Sequence, residues 1–251
     1  IKLKQTNLSL SFGRPLGKDL TASLGLNFER NDITNPTGAP GDPGPPPSPP
    51  VQPAAPDRPL LFWDNSAVFG LAQNELVYQD AYYVNGGYYW GGKYKVSGNY
   101  LGSAYNYQQL TLEGKWFRQL FPNTVFGVHL TGDWLTGDYP DYDALYLGGM
   151  YKLRGYDSYR FSQDPGARDL IGNQSYVFNT EIRYRYPANK NIELLLFYDL
   201  GQVTDGIKTT LKYDYGAGFR YIIPFLGELG FDYCINSDGI IKTVFMIGET
   251  F

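Results

Sequence analysis

The chain has 251 residues, with 21 Lys+Arg against 25 Asp+Glu and a formal net charge of −4. That near-balance argues against a nucleic-acid-binding protein, which carries a basic surplus on some face. A single Cys excludes an intramolecular disulfide framework, and one Cys with one His excludes a Cys/His metal cluster. Aromatic residues reach 17% while charged residues are only 18%, low for a soluble domain. No stretch approaches the ~20 apolar residues that a membrane helix needs. Many aromatics, few charges and no apolar segment together point to a membrane β-barrel. No charged-then-apolar leader opens the chain, so Ile1 is expected to begin a mature or trimmed form.

In chain order, a first strand is predicted near 4–12, ending in the turn signal Arg14-Pro15-Leu16-Gly17-Lys18. A second strand leads into a polar connection over 31–64. Its segment 35–59 contains Gly41-Asp42-Pro43-Gly44-Pro45-Pro46-Pro47, and Pro lacks the N–H that a sheet needs, so an extended surface loop is expected there. Asn85-Gly86-Gly87 and Phe121-Pro122-Asn123 read as short turns, with a longer connection at 102–107 between them. From 125 to 135, Phe126, Val128, Leu130 and Trp134 oppose His129, Thr131 and Asp133, the period-two sorting of a strand.

A connection of nearly forty residues follows at 136–173, and loops of that length inside compact folds are usually functional. Tyr176, Phe178, Thr180, Ile182, Tyr184 and Tyr186 then oppose Val177, Asn179, Glu181, Arg183 and Arg185. After the turn Pro187-Ala188-Asn189-Lys190, residues Ile192, Leu194, Leu196, Tyr198 and Leu200 oppose Glu193, Leu195, Phe197, Asp199 and Gly201. Beyond a connection at 202–210, Tyr213, Tyr215, Ala217, Phe219 and Tyr221 oppose Lys212, Asp214, Gly216, Gly218 and Arg220. The turn Pro224-Phe225-Leu226-Gly227, a short connection at 236–239 and a last strand near 242–251 complete the series.

Each alternating run covers about ten residues, the length of a tilted strand crossing a bilayer. A soluble sandwich also alternates, but here apolar faces end repeatedly in Tyr or Trp, as an interfacial girdle requires. The opposite faces hold charges of both signs, which suit a lumen and are expensive in a sandwich core. Short turns alternating with long loops match periplasmic turns and extracellular loops, and about eleven strands are expected. Bacterial single-chain barrels close with an even number, and an open edge in lipid leaves backbone groups unpaired. The chain is therefore expected to be incomplete or to be completed by another copy.

Four motifs in order carry a family resemblance. Gly148-Gly149 precedes Leu153-Arg154-Gly155-Tyr156 in the long loop; Gly172-Asn173 precedes Glu181-Ile182-Arg183; Phe197-Tyr198-Asp199-Leu200-Gly201 follows; and Phe245 leads to a terminal Phe251. Over roughly 67–251 this resembles the BamA/TamA superfamily of outer-membrane assembly factors, related to two-partner-secretion transporters. The first two strands carry no motif. The resemblance implies a transmembrane antiparallel barrel of 12 or 16 strands (about five N-terminal strands being missing from the larger count), a lumen loop over 136–173, and an outer-membrane or organelle-envelope location. No POTRA domain is recognisable, so 1–251 is expected to be one barrel domain.

Inward alternation of Asp199, Glu181, Asp214 and Asp232 gives Arg154 carboxylates to pair with, and guanidinium offers a planar fork for them. The expectation is a latch: Arg154 pairs with Asp199, with Asp214 second, while Gly155 turns the loop and Tyr156 packs on the inner wall. Isolated lumen pairs would be worth only ~0–1 kcal/mol each. No catalysis, cofactor or metal is expected, since His129 lacks triad or zinc partners and Cys234 reads as an inert inward thiol. Asp138, Asp141 and Asp143 read as a solvated acidic loop.

Three roles remain open from sequence. An insertase needs a weak seam between first and last strands, where a client strand adds by β-augmentation; Gly230, Gly239 and Gly248 would weaken or bend that side. A translocator, or a membrane anchor for an effector such as a patatin-like lipase, is the second. A passive porin or a barrel enzyme is the third. The expected partners are the lipid bilayer, a client protein and a second copy at the open edge, with no nucleic acid.

Overall fold

The computed structural model describes residues 2–34, 61–80, 83–158, 169–223 and 227–248. The Pro-rich segment 35–59, Pro224-Phe225-Leu226 and the terminal Thr250-Phe251 lie outside the described residues. Fifteen strands run in order as β1 (Lys2–Pro15), β2 (Leu20–Thr34), β3 (Leu61–Trp63), β4 (Ser66–Asn74), β5 (Val77–Asp80), β6 (Tyr83–Ser97), β7 (Asn106–Phe121), β8 (Thr124–Asp138), β9 (Leu145–Tyr146), β10 (Ile171–Gly172), β11 (Gln174–Arg185), β12 (Ile192–Thr204), β13 (Thr209–Ile223), β14 (Gly227–Asn236) and β15 (Ile241–Ile247). The helices among the described residues are the 3₁₀ turns Asn99–Leu101 and Asp141–Asp143.

One antiparallel wall takes the order β1-β2-β4-β6-β7-β8-β11-β12-β13-β14-β15. That path has eleven strands, the number expected from alternation. Each neighbour is the next long strand in sequence, so simple hairpins generate the whole wall. Short β3 pairs with β2, and β5 with β6. Among the described residues β1 pairs with β2 and β15 with β14, and the path does not close on itself.

The polarity of this wall is reversed from that of a soluble domain. Asp199 and Asp214 are 0% exposed, whereas their outward neighbours Leu196 and Tyr215 are 61% and 47% exposed. Strand β11 alternates throughout, with Tyr176, Phe178, Ile182 and Tyr184 outward and Asn179, Glu181, Arg183 and Arg185 buried. Because a strand's side chains alternate strictly, an apolar exterior and a charged interior require this pattern in every strand.

Asn85-Gly86-Gly87 is not the expected turn; all three residues lie within β6. Gly87 has φ +91°, and a Cβ there would fall 2.0 Å from the Glu75 carbonyl oxygen. The glycine pair is an irregularity where β6 passes close to Glu75, a use of Gly that looks like a turn in sequence. The acidic loop also differs from expectation: Asp143 accepts from Tyr107 at 2.7 Å and pairs with Lys95 at 3.0 Å. Gly230 has a packing role, since a Cβ there would meet Met246 Cγ at 2.6 Å and Arg220 Cδ at 3.0 Å.

A lipid-facing wall makes charge insertion depend on depth. Leu196→Arg, mid-strand on the outward face of β12, is expected to destabilise by roughly 2–4 kcal/mol, and Gln202→Arg, near the end of the same face, by about 1 kcal/mol or less. Denaturant titration of the protein folded in phospholipid vesicles measures both; equal costs at the two depths would contradict the lipid-facing assignment.

Candidate functional site: a loop held to the inner wall by one arginine

The loop between β8 and β11 runs back inside the wall. At its base β9 pairs with β10, and between them the stretch 147–157 turns tightly on itself. Leu153 N–H donates to Leu147 O at 3.2 Å, and Gly149 N–H to Tyr156 O at 3.0 Å. Leu153 is fully buried in a cluster with Leu147, Tyr156, Leu170, Val177 and Val203. Apolar packing therefore seats one side of the turn and aims the next residue, Arg154, at the wall.

Arg154 is 1% exposed. Its Nε donates to Asp199 Oδ2 at 2.7 Å and its Nη2 to Asp199 Oδ1 at 2.8 Å, a side-on bidentate pair. Its Nη1 donates to Glu181 Oε1 at 2.6 Å and lies 3.4 Å from Asp232 Oδ2. The guanidinium carbon stands 3.7 Å from the centre of the Phe197 ring, a cation–π arrangement. One loop cation thereby touches β11, β12 and β14. Arginine suits this position because its planar fork serves several acceptors and never loses its proton.

The partners are themselves held. Glu181 accepts from Arg183 Nε at 2.6 Å, and Asp232 from Arg220 Nη2 at 2.9 Å. Arg220 Nε lies 3.0 Å from Glu228. Asn179 Nδ2 donates to Asp199 Oδ1 at 2.8 Å and to the Lys152 carbonyl at 2.6 Å, tying wall to loop a second time. Such bracing fixes carboxylate orientation before the loop arrives.

The other motif residues fit around this pairing. Asp214 differs from the expected second partner of Arg154: its Oδ2 accepts the Gly155 N–H at 3.0 Å. The reason is register, for Asp214 lies directly across from Asp199 and meets the loop one residue further on. Asn236 Nδ2 donates to the Gly155 carbonyl at 3.1 Å, so both backbone groups of Gly155 are bound. A Cβ on Gly155 would fall 2.8 Å from Asp214 Cβ and 3.0 Å from Asn236 Cβ. Gly155 is needed for close approach. Tyr156 shares a 2.7 Å hydrogen bond with Ser237, and burial pushes its hydroxyl up to about 12. Gly201 leaves room for the loop, since a Cβ there would meet Leu147 at 3.0 Å and Leu153 at 3.1 Å. The motif of β12 thus divides its work: Phe197 stacks on Arg154, Asp199 binds it, and Gly201 admits Leu153.

Elsewhere, Gly172 pairs with Leu145 at the base of the loop, and Asn173 N–H donates to Thr204 O at 2.9 Å. Phe245 faces outward, 51% exposed, against Phe231 with ring centres 4.9 Å apart. Buried His129 lies 3.0 Å from Glu113 and 3.2 Å from Asn179. Cys234 is buried with a free thiol. Sequence reasoning placed Asn179 and Arg220 inward without assigning them to the site, and it missed Asn236, which ends β14 and carries no pattern of its own.

Gly155→Ala tests the close approach. The added methyl is expected to lift the loop from Asp214 and Asn236, so proteolysis at Lys152 should accelerate several-fold while the strand signal in circular dichroism stays unchanged. Unaltered protection would mean that the loop tolerates a Cβ there.

The Omp85 superfamily domain matches residues 1–251. Outer membrane protein assembly factor BamA of Nitratidesulfovibrio vulgaris is 29% identical over 150 residues, covering 55% of this chain and 19% of that protein. Outer envelope protein 39, chloroplastic, of Arabidopsis thaliana is 33% identical over 121 residues, covering 43% of this chain and 30% of that protein. The crystal structure of BamA from Haemophilus ducreyi lacking POTRA domains 1–3 superposes with a TM-score of 0.72 over 96% of this chain and 54% of that one, at 17% identity. This last likeness is one of fold. The chain spans about half, or less, of the length of each.

Proposed function

The chain belongs to the Omp85 superfamily, and on that premise we propose that residues 1–251 form an outer-membrane barrel domain that inserts or translocates other proteins without enzymatic chemistry. Its setting is the outer membrane of a Gram-negative type bacterium or an organelle outer envelope, in keeping with the bacterial and chloroplast relatives. Its partners are the lipid bilayer and a client polypeptide, and a client strand or a second copy could meet the edges of β1 and β15 that are unpaired among the described residues. An extended strand meeting such an edge gains a ladder of backbone hydrogen bonds.

The observation that carries the mechanism is the fourfold grip on Arg154: two contacts to Asp199, one to Glu181 and a longer one to Asp232. In this reading the loop is a latch. Docked, it braces β11, β12, β13 and β14 from inside and fills part of the lumen, which disfavours a passive porin. Released, it opens the lumen and loosens the wall that a client must engage.

The latch is tested by a double-mutant cycle. Arg154→Ala strips the cation from three buried carboxylates and is expected to cost ~3–5 kcal/mol of loop docking. Asp199→Ala is expected to cost less, because Glu181 and Asp232 still hold the guanidinium. The double variant should be little worse than Arg154→Ala alone. Arg154→Lys should not restore function, since an ammonium cannot make the bidentate fork. The readout is assembly of a client barrel, or secretion of a client, in cells carrying each variant. Simple addition of the two defects, or full activity of Arg154→Ala, would remove the latch from the mechanism.

A further inference from the structure

The latch leaves unused a second group of residues, on the outward face of the wall at the β1–β2 hairpin. A cavity of about 560 Å³ lies there. Cross-strand register stacks its walls in layers: Leu8 lies opposite Phe28, Thr6 opposite Arg30, and Lys4 opposite Asp32. Strand β3 adds Trp63 beside Arg30. The lowest layer continues the lipid-facing stripe, for Leu8, Leu10 and Phe12 of β1 and Leu24, Leu26 and Phe28 of β2 are all exposed. The upper layers carry an ammonium, a guanidinium, a hydroxyl and an indole N–H. They lie at the end of β2 that leads into the long loop, away from the tight turn to β1.

An apolar floor beneath clustered donors is the complement of an amphiphile whose acyl chain meets its headgroup at that depth. Neither Lys4 nor Arg30 has an ion pair among the described residues, unlike Arg154, Arg183 and Arg220 of the interior. Four donors against one carboxylate select an acceptor-rich anion, and a phosphate has the required oxygens. Asp32 supplies the single acceptor and suits a hydroxyl or ammonium next to the phosphate. Trp63, half exposed, has the apolar body and N–H tip that anchor a side chain at a membrane interface. A protein ligand is disfavoured, because the floor of the cavity is the same stripe that the hydrocarbon covers.

We propose that this outward cavity, walled by Lys4, Thr6, Arg30, Asp32 and Trp63 over Leu8 and Phe28, binds the phosphate headgroup of a membrane lipid. The proposal rests on reading the wall as membrane-spanning, but it does not depend on the latch or on any client. Bound lipid would bridge β1, β2 and β3.

Native mass spectrometry of the full-length protein in detergent, titrated with single lipids, provides the test. Phosphatidylglycerol, phosphatidylethanolamine and a phosphorylated glycolipid form three arms, and a neutral galactolipid the fourth. The expected result is retention of one or more of the phosphate-bearing lipids at least several-fold above the galactolipid, with the three arms ranking the headgroups. Lys4→Gln and Arg30→Gln should each weaken retention about fivefold, whereas Lys93→Gln, inside the lumen, should not. Asp32→Asn preserves the shape of the cavity and should leave retention of phosphatidylglycerol equal or stronger. Equal retention of the galactolipid, displacement by millimolar inorganic phosphate alone, or indifference to both cation variants would overturn the proposal. A membrane reading that was itself wrong would show instead as failure of the protein to fold into vesicles at all.

Discussion

A single buried cation organises the interior of this wall. Transferring a guanidinium out of water costs several kcal/mol after relaxation, and only close, well-oriented anions offset it. Arg154 meets that demand with Asp199 gripping two nitrogens and Glu181 a third contact. Three carboxylates around one arginine would repel one another, so Glu181 and Asp232 each carry a second arginine, Arg183 and Arg220. The charges thus form an alternating network whose members depend on one another. Removing the loop would leave the network short of one cation at its centre, which is why the loop position and the wall charges belong to one physical unit.

That unit also explains the small residues of β12 and the loop. A cation can reach three strands only if the backbone that carries it comes close to the wall. Gly155 permits contact with Asp214 and Asn236 on one side, and Gly201 leaves space for Leu153 and Leu147 on the other. Apolar seating and electrostatic pairing are therefore adjacent and mutually required: Leu153 is fully buried one residue before Arg154. Either alone would give a loop that lies against the wall without a defined register.

Much of the fold was legible because strand alternation is a strict code for two faces. It placed Asn179, Glu181, Arg183, Asp199, Asp214 and Arg220 inward on three strands, where all six are buried. It also counted the long strands, since tight turns and long connections alternate in the sequence. Glycine was the ambiguous signal. Gly86-Gly87 looks like a hairpin turn, but the close passage of Glu75 that requires Gly87 is visible only after β6 is paired. At the site, alternation supplied candidate carboxylates and the motif order supplied Arg154. Which carboxylate meets a side chain and which meets a backbone N–H depends on register across β12 and β13, and no local pattern carries that. Asp214 and Asn236 bind Gly155 for that reason, and Asn236 was not anticipated at all.

The wall is uneven in a way that bears on how it could work. Its buried charged residues concentrate on β11 to β14, where the loop ties neighbouring strands together. The inward residues of β1 are Gln5, Asn7, Ser9 and Ser11, short or neutral groups that are exposed rather than braced. Strand β1 bonds along fourteen positions to β2, and its other edge is unpaired among the described residues. At the opposite end, among the described residues, β15 (Ile241–Ile247) pairs with β14. Backbone groups at such edges have no alternative partner in hydrocarbon, so any strand that reaches them gains the full value of pairing. Among the described residues of β1 the side-chain bond to its neighbour β2 is Gln5 Nε2 to Glu29 at 3.0 Å, while Ser9 to Asn7 at 3.0 Å lies within the strand. Among the described residues the wall is thus cross-linked by charged side chains around the loop on one flank and by backbone bonds between β1 and β2 on the other.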